Sequence, residues 1–132
     1  MMDLDNFKMM NDTFGHEFGD GILKEFVTHV KTVMTRKFRI FRYGGDEFIV
    51  VVPAPLEEYA DVYSEVSKML LLQNKLWKQQ GLDVSVSFGQ AYLSEQESII
   101  NIVRKADKLM YMNKFEKSMV KNSKSNGKIL IK

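Results

Sequence analysis

Residues 41–52 read FRYGGDEFIVVV, and the fold turns on what that stretch does. Apolar runs at Phe38–Tyr43 and Phe48–Val52 flank the Gly44-Gly45 pair, the short-range signature of a β-hairpin whose turn takes φ > 0. Asp46 and Glu47 follow the glycines. Acids are common in turns and charges at loop tips are usually solvated. Alone, the two acids divide evenly between a solvated tip and a functional pair.

Upstream, Met1–Asp5 reads as the end of a strand, because only Met1 and Met2 precede Asp3 and typical strands run longer. The expectation is a domain lacking its first N-terminal segment, or one with an unusually short first strand. Phe7–Asn11 reads as a short helix broken before Gly15. Ile22, Phe26, Val30 and Val33 then recur at spacings of three and four, with Leu23, Val27 and Met34 beside them, predicting an amphipathic helix over about residues 19–36. Arg36, Lys37 and Arg39 close it with positive charge, which suits a helix C-terminus.

Downstream of the hairpin, Pro53 and Pro55 end its second strand. A second long helix is predicted over about residues 56–80, with Tyr59, Val62, Tyr63, Val66, Met69, Leu70 and Leu76 inward and Gly81 as its stop. Val84, Val86 and Phe88 alternate with Asp83, Ser85 and Ser87, a half-buried strand. A third helix over about residues 97–114 would bury Ile99, Ile100, Val103, Ala106, Leu109 and Met110. Residues 116–128, rich in Lys, Ser and Asn, predict a mobile stretch before a last short strand at Ile129–Ile131. This order specifies an α+β fold: a ferredoxin-like βαββαβ core with an added C-terminal helix and strand. Its sheet would be antiparallel or mixed with helices on one face, and residues 1–132 form one domain.

Composition narrows the function classes. The chain has 132 residues with 45% hydrophobic and 27% charged, enough for one real core. Nineteen basic against 17 acidic residues leave +2, too weak a balance to argue for nucleic acid. No apolar run reaches the roughly 18 residues of a membrane span, and the N-terminus lacks a signal-peptide layout. The absence of cysteine rules out disulfides and thiolate metal sites and fits a reducing, cytoplasmic setting. The nine methionines read as core filler.

In a ferredoxin-like sheet the first strand lies beside the hairpin, which would bring Asp3, Asp46 and Glu47 into one small volume. Carboxylates that close repel unless they are protonated or share a cation, and hard oxygen ligands favour Mg²⁺ or Mn²⁺. A divalent cation among carboxylates, with phosphates as its remaining ligands, is an arrangement used to displace pyrophosphate.

Five motifs occur in order: DLDNFKMMND from Asp3, FGHEFGD from Phe14, RYGGDEF from Arg42, SVSFG from Ser85 and ADKLMY from Ala106. Together they resemble the GGDEF family of diguanylate cyclase catalytic domains, with a nucleotidyl cyclase and polymerase palm-like fold, from Asp3 to about Lys114. The resemblance implies condensation of two GTP into cyclic di-GMP by a homodimer with Mg²⁺ or Mn²⁺. It implies that Asp3, the Leu4 carbonyl and Asp46 hold metal, that Asp46 helps deprotonate the attacking 3′-hydroxyl, and that Glu47 is a further ligand or catalytic acid. Asn11 and Asp20 would read guanine, with His16 between them. Lys8 would contact phosphate and Lys114 the terminal phosphates, the backbone N–H groups of Asn6, Phe7 and Lys8 at the start of the short helix could also hold phosphate oxygens, and Gly44 and Gly45 would let the nucleotide approach.

Each residue also has a plainer reading. Lys8 and Lys114 could be solvated lysines, His16 a capping or core histidine, Asp20 the N-cap of the helix that follows, and Asp5 a helix cap as readily as a ligand. Three departures from the family pattern stand out. The usual Asp-x-Leu-Thr segment upstream is absent, Ser118 stands where an arginine is expected, with Lys117 or Lys121 as substitutes, and Thr35 and Phe38 occupy the positions of a product-inhibition Arg-x-x-Asp. The rival expectations are a catalytically inactive GGDEF module binding GTP within a larger signalling protein, and a ferredoxin-like interaction domain without nucleotide. An upstream sensory or membrane domain is expected in either signalling case.

Overall fold

The computed structural model describes residues 1–130, with side chains described through Ser125. Its elements are β1 (Met2–Asp5), α1 (Phe7–Phe14), α2 (His16–Val33), β2 (Arg39–Arg42), β3 (Glu47–Val51), α3 (Tyr59–Gln79, after a 3₁₀ turn at Leu56–Glu58), β4 (Ser85–Phe88) and α4 (Ile99–Leu130). The sheet runs β2-β3-β1-β4 and every pairing is antiparallel. That strand order is the ferredoxin-like one, so the α+β expectation holds and the mixed-sheet alternative does not.

Strand alternation divides the sheet into two unlike faces. Met2 and Leu4 of β1, Phe48 of β3 and Val86 of β4 are buried with Ile22, Phe26 and Val30 of α2 and Val62, Val66, Met69 and Trp77 of α3. Asp3, Asp5, Ser85 and Ser87 take the opposite parity, and Lys114 and Lys117 of α4 reach Asp3 and Asp5. Helices therefore lie on both faces, correcting the one-face expectation. The added helix goes to the polar face because that is where the charged residues of β1 must find partners.

Short β1 is held at the sheet centre, between β3 and β4. Its register runs Asp3 opposite Glu47 on one side and Asp3 opposite Ser87 on the other. Beyond it, the outward N–H groups of edge strand β4 are taken by side chains: Val86 N–H donates to Asn74 Oδ1 (2.9 Å) and Phe88 N–H to Asn113 Oδ1 (3.1 Å). A capped edge does not recruit another strand.

Several local expectations change. Positive φ among glycines occurs at Gly15 and Gly81, not at Gly44 or Gly45. The hairpin closes through a longer bend in which Tyr43 and Gly44 N–H both donate to Glu47 O, so no left-handed turn is needed and Glu47 opens β3. Gly15, at φ 92°, is what separates α1 from α2. The second helix starts at His16, so Asp20 sits inside it and caps nothing. On α3, Trp77 is fully buried, whereas Tyr63 and Leu76 are exposed.

On α4, Ala106 and Met110 are buried, but Ile99, Ile100 and Leu109 are exposed, since α4 offers the sheet one narrow face. Residues 116–128, expected to be a mobile stretch, lie within α4, which runs to Leu130 in place of the short strand. Lys, Ser and Asn weaken a helix only modestly, and Lys117 and Lys121 tie this part of α4 to Asp5 and Asp83. Residue Ile131 of that expected strand lies outside the described residues. Met2, Met10, Met34, Met69 and Met110 are core, while Met9, Met112 and Met119 are exposed.

Candidate active site

The end of β1 and the hairpin tip meet. Leu4 N–H donates to Asp46 O at 3.1 Å, and since the N–H and C=O of a strand residue point the same way, the Leu4 carbonyl also faces the hairpin side. Asp3, one residue earlier, is buried at 6% exposure. Its Oδ2 accepts from Lys114 Nζ at 2.9 Å, and its Oδ1 is buried with no partner. Burial first, and then the charge of nearby Asp46, push the Asp3 carboxyl up to about 6 against the pull of Lys114. Two carboxylates and one unpaired buried oxygen make a place that a cation would relieve.

Glu47 does not complete a triad. Its carboxylate folds back toward Gly44, where an added Cβ would lie 3.3 Å from Glu47 Oε2. Among the described residues no three His, Asp or Glu side chains converge as a ready metal cage. The volume expected to hold three acids therefore holds Asp3 and Asp46, because the hairpin bend turns the Glu47 side chain along the tip.

Asp5 neither caps α1 nor joins the acid pair. Asn6, at φ 64°, is the N-cap residue, while Asp5 accepts from Ser85 (2.9 Å), Ser87 (2.8 and 2.9 Å) and Lys117 (3.1 Å). Lys117 also donates to Val86 O, and Lys121 pairs with Asp83 at 3.0 Å. Both candidates to replace the absent arginine are thus committed elsewhere, and Ser118 Oγ bonds Phe115 O. The Asp5 network was not foreseen; the alternation of Asp3, Asp5, Ser85 and Ser87 on antiparallel strands was the available signal. Lys114 is raised overall: burial acts to lower it, but the hydrogen bond to Asp3 and the charges of Asp3, Asp5 and Asp46 outweigh this.

The remaining candidates gather at the α1–α2 corner. Phe7 is buried at the start of α1 and Lys8 is exposed beside it. Asn11 Oδ1 is buried without a partner and presses on Gly19, where a Cβ would sit 1.7 Å from it. His16 and Asp20 are exposed one turn apart on α2, so His16 is not a core histidine. Among the described residues no hydrogen bond ties this corner to the hairpin tip. A cavity of about 480 Å³ lies between β1, β4 and α4, lined by Asp5, Asn6, Ser85, Lys114, Lys117 and Lys121 and by neither acid of the pair. A second cavity, of about 440 Å³, is apolar and lies away from these groups, between β3, α3 and α4.

A family model described as "Diguanylate cyclase, GGDEF domain" matches residues 1–119. The chain belongs to the GGDEF family. Among relatives of this GGDEF domain, diguanylate cyclase DgcS of Shewanella oneidensis is 36% identical over 114 residues, covering 86% of this chain and 38% of the relative. Diguanylate cyclase DgcZ of Escherichia coli is 31% identical over 116 residues, covering 86% and 39%. The chain thus spans about two fifths of those relatives. A solved microbial GGDEF domain, described for its interaction with cyclic di-GMP, is 30% identical with TM-score 0.69, covering 87% of this chain and 70% of that one. The active GGEEF domain of a Vibrio cholerae diguanylate cyclase is 25% identical with TM-score 0.70, covering 87% and 74%.

Proposed function

We propose that this GGDEF domain is a diguanylate cyclase, condensing two GTP molecules to cyclic di-GMP and two pyrophosphates. Each of two facing subunits would hold one GTP. The 3′-oxygen of one attacks the α-phosphorus of the other, the bond to the β-phosphate breaks, and the hydroxyl proton passes to the Asp46 carboxylate. Repeating the step in the opposite sense closes the ring. The observation that carries this reading is the junction of β1 with the hairpin tip, where Leu4 N–H donates to Asp46 O at 3.1 Å, beside the buried Asp3 whose Oδ1 has no partner.

That oxygen fits a hard divalent cation. Asp3 and Asp46 would hold it, with the Leu4 carbonyl as a further ligand and Glu47 joining by turning its carboxylate away from Gly44. Mg²⁺ or Mn²⁺ so bound supplies charge neutralisation at the phosphates. Lys114, Lys8 and the backbone at Phe7 and Lys8 orient the triphosphate, Gly44 and Gly45 leave room above the hairpin, and Asn11 and Asp20, with His16 beside them, select guanine by its donor edge. No described helix is long and apolar enough to cross a membrane. We place the domain in the cytoplasm, as the output of a larger protein in which an upstream sensory or membrane segment sets its pairing.

The test is chromatography of GTP incubated with Mg²⁺ and the domain, alone and fused to a dimerising helix. Cyclic di-GMP that disappears in Asp46→Ala is the expected result. GTP binding with no product from either form would instead make this a GTP-responsive module.

A further inference from the structure

Lys114 and its two neighbours along α4 are held differently. Lys117 has two fixed partners, Asp5 and the Val86 carbonyl, and Asp5 is itself satisfied by two serines. Lys121 is exposed against an equally exposed Asp83. Lys114 makes one hydrogen bond, to Asp3 at 2.9 Å, lies 4.0 Å from Asp5, and keeps a side chain 44% exposed on the wall of the cavity between β1, β4 and α4. Its anchor is the carboxylate with an unpaired buried oxygen and a second acid beside it.

A buried carboxylate requires a positive partner, and Lys114 is the group that supplies one to Asp3. An ammonium already on Oδ2 repels any cation approaching Oδ1 a few ångströms away, in surroundings that screen poorly. Lysine is also a point charge on a flexible stem, so Lys114 can leave Asp3 without moving α4, provided another anion receives it. The cavity lined by Lys114, Lys117 and Lys121 is where phosphate oxygens would offer that.

We propose that Lys114 is the resident counter-ion of Asp3 and exchanges it for a phosphate oxygen when cation and nucleotide enter together, which makes their binding mutually dependent. This rests on the reading of Asp3 as a metal ligand. The coupling is reciprocal by linkage and is expected at about tenfold: the cation alone binds weakly, and nucleotide strengthens it.

The experiment measures Mn²⁺ affinity by electron paramagnetic resonance, with and without 3′-deoxyGTP, which lacks the attacking hydroxyl. Lys114→Met is expected to bind Mn²⁺ alone about tenfold more tightly than the unaltered chain, to lose most of the strengthening by nucleotide, and to lose Mn²⁺ binding when Asp3→Asn is added. Equal Mn²⁺ affinity with and without Lys114, still abolished by Asp3→Asn, overturns the counter-ion inference and leaves the metal-site reading standing. Mn²⁺ binding indifferent to Asp3 overturns both. Should Lys114→Met fail to fold by circular dichroism, the unaltered chain decides the matter by acylation of its lysines. Reactivity of Lys114, read by peptide mass, should rise with saturating Mn²⁺ and fall again with 3′-deoxyGTP; no change sinks the proposal.

Discussion

Asp3 shows what one buried charge does to the molecule. Its proton affinity is raised from the ordinary 3.8 to about 6, chiefly by burial and then by Asp46. The folded chain therefore binds this proton more tightly than the unfolded one. Stability from this residue is fully present below about pH 4 and declines as pH rises through about 6. Metal-free Asp3→Asn should lack that decline and be more stable at pH 7 by on the order of 1–3 kcal/mol, as read from paired denaturant curves at pH 4.5 and 7. Curves that stay parallel across that range would contradict the burial argument. That β1 and the hairpin tip meet was legible in the sequence, because a ferredoxin-like order of elements puts the first strand beside the hairpin. The direction of the Glu47 side chain was not legible, because at a hairpin tip it depends on the bend, and the bend uses no positive φ.

Two glycines separate packing from function among the elements. A Cβ on Gly89 would lie 2.1 Å from Ala106 O and 2.3 Å from Met110 N. These are backbone atoms, so α4 must retreat from β4. Gly89→Ala should cost about 1–3 kcal/mol and weaken GTP binding as well, since Lys114 rides on the same helix; urea unfolding and nucleotide titration read the two effects. A Cβ on Gly19 meets instead the Asn11 amide, the end of a movable side chain. The helix-propensity gain of about 1 kcal/mol offsets that crowding, so Gly19→Ala should stay near the unaltered stability. Displaced Asn11 should nevertheless reduce the preference for GTP over ATP, measured by competition. Helix periods were visible from residue spacing, but the faces were less so: Ile99, Ile100 and Leu109 have core-like spacing and stand exposed because nothing described lies over them.

For the whole molecule, the proposed chemistry needs two subunits. Product formed per chain should rise with protein concentration and level off once paired, a dependence that enzyme dilution tests directly. Product feedback at the expected inhibition positions should be absent. Thr35 donates through N–H and Oγ to Glu65, both at 2.7 Å, and Phe38 packs on the core, so neither presents a charge to cyclic di-GMP. Calorimetric titration should find no tight site lost on Glu65→Gln.

The residues by themselves determined the α+β order of elements, the central place of β1 and the pairing of its acid with the hairpin, because periodicity and strand alternation are local properties of a chain. Tertiary structure decided what those acids touch. Asp5 became a hub for Ser85, Ser87 and Lys117, and Lys114 became the partner of Asp3, because a charge forced onto the inner surface of a sheet must be met by whichever helix covers it, across more than 80 residues that no local pattern connects.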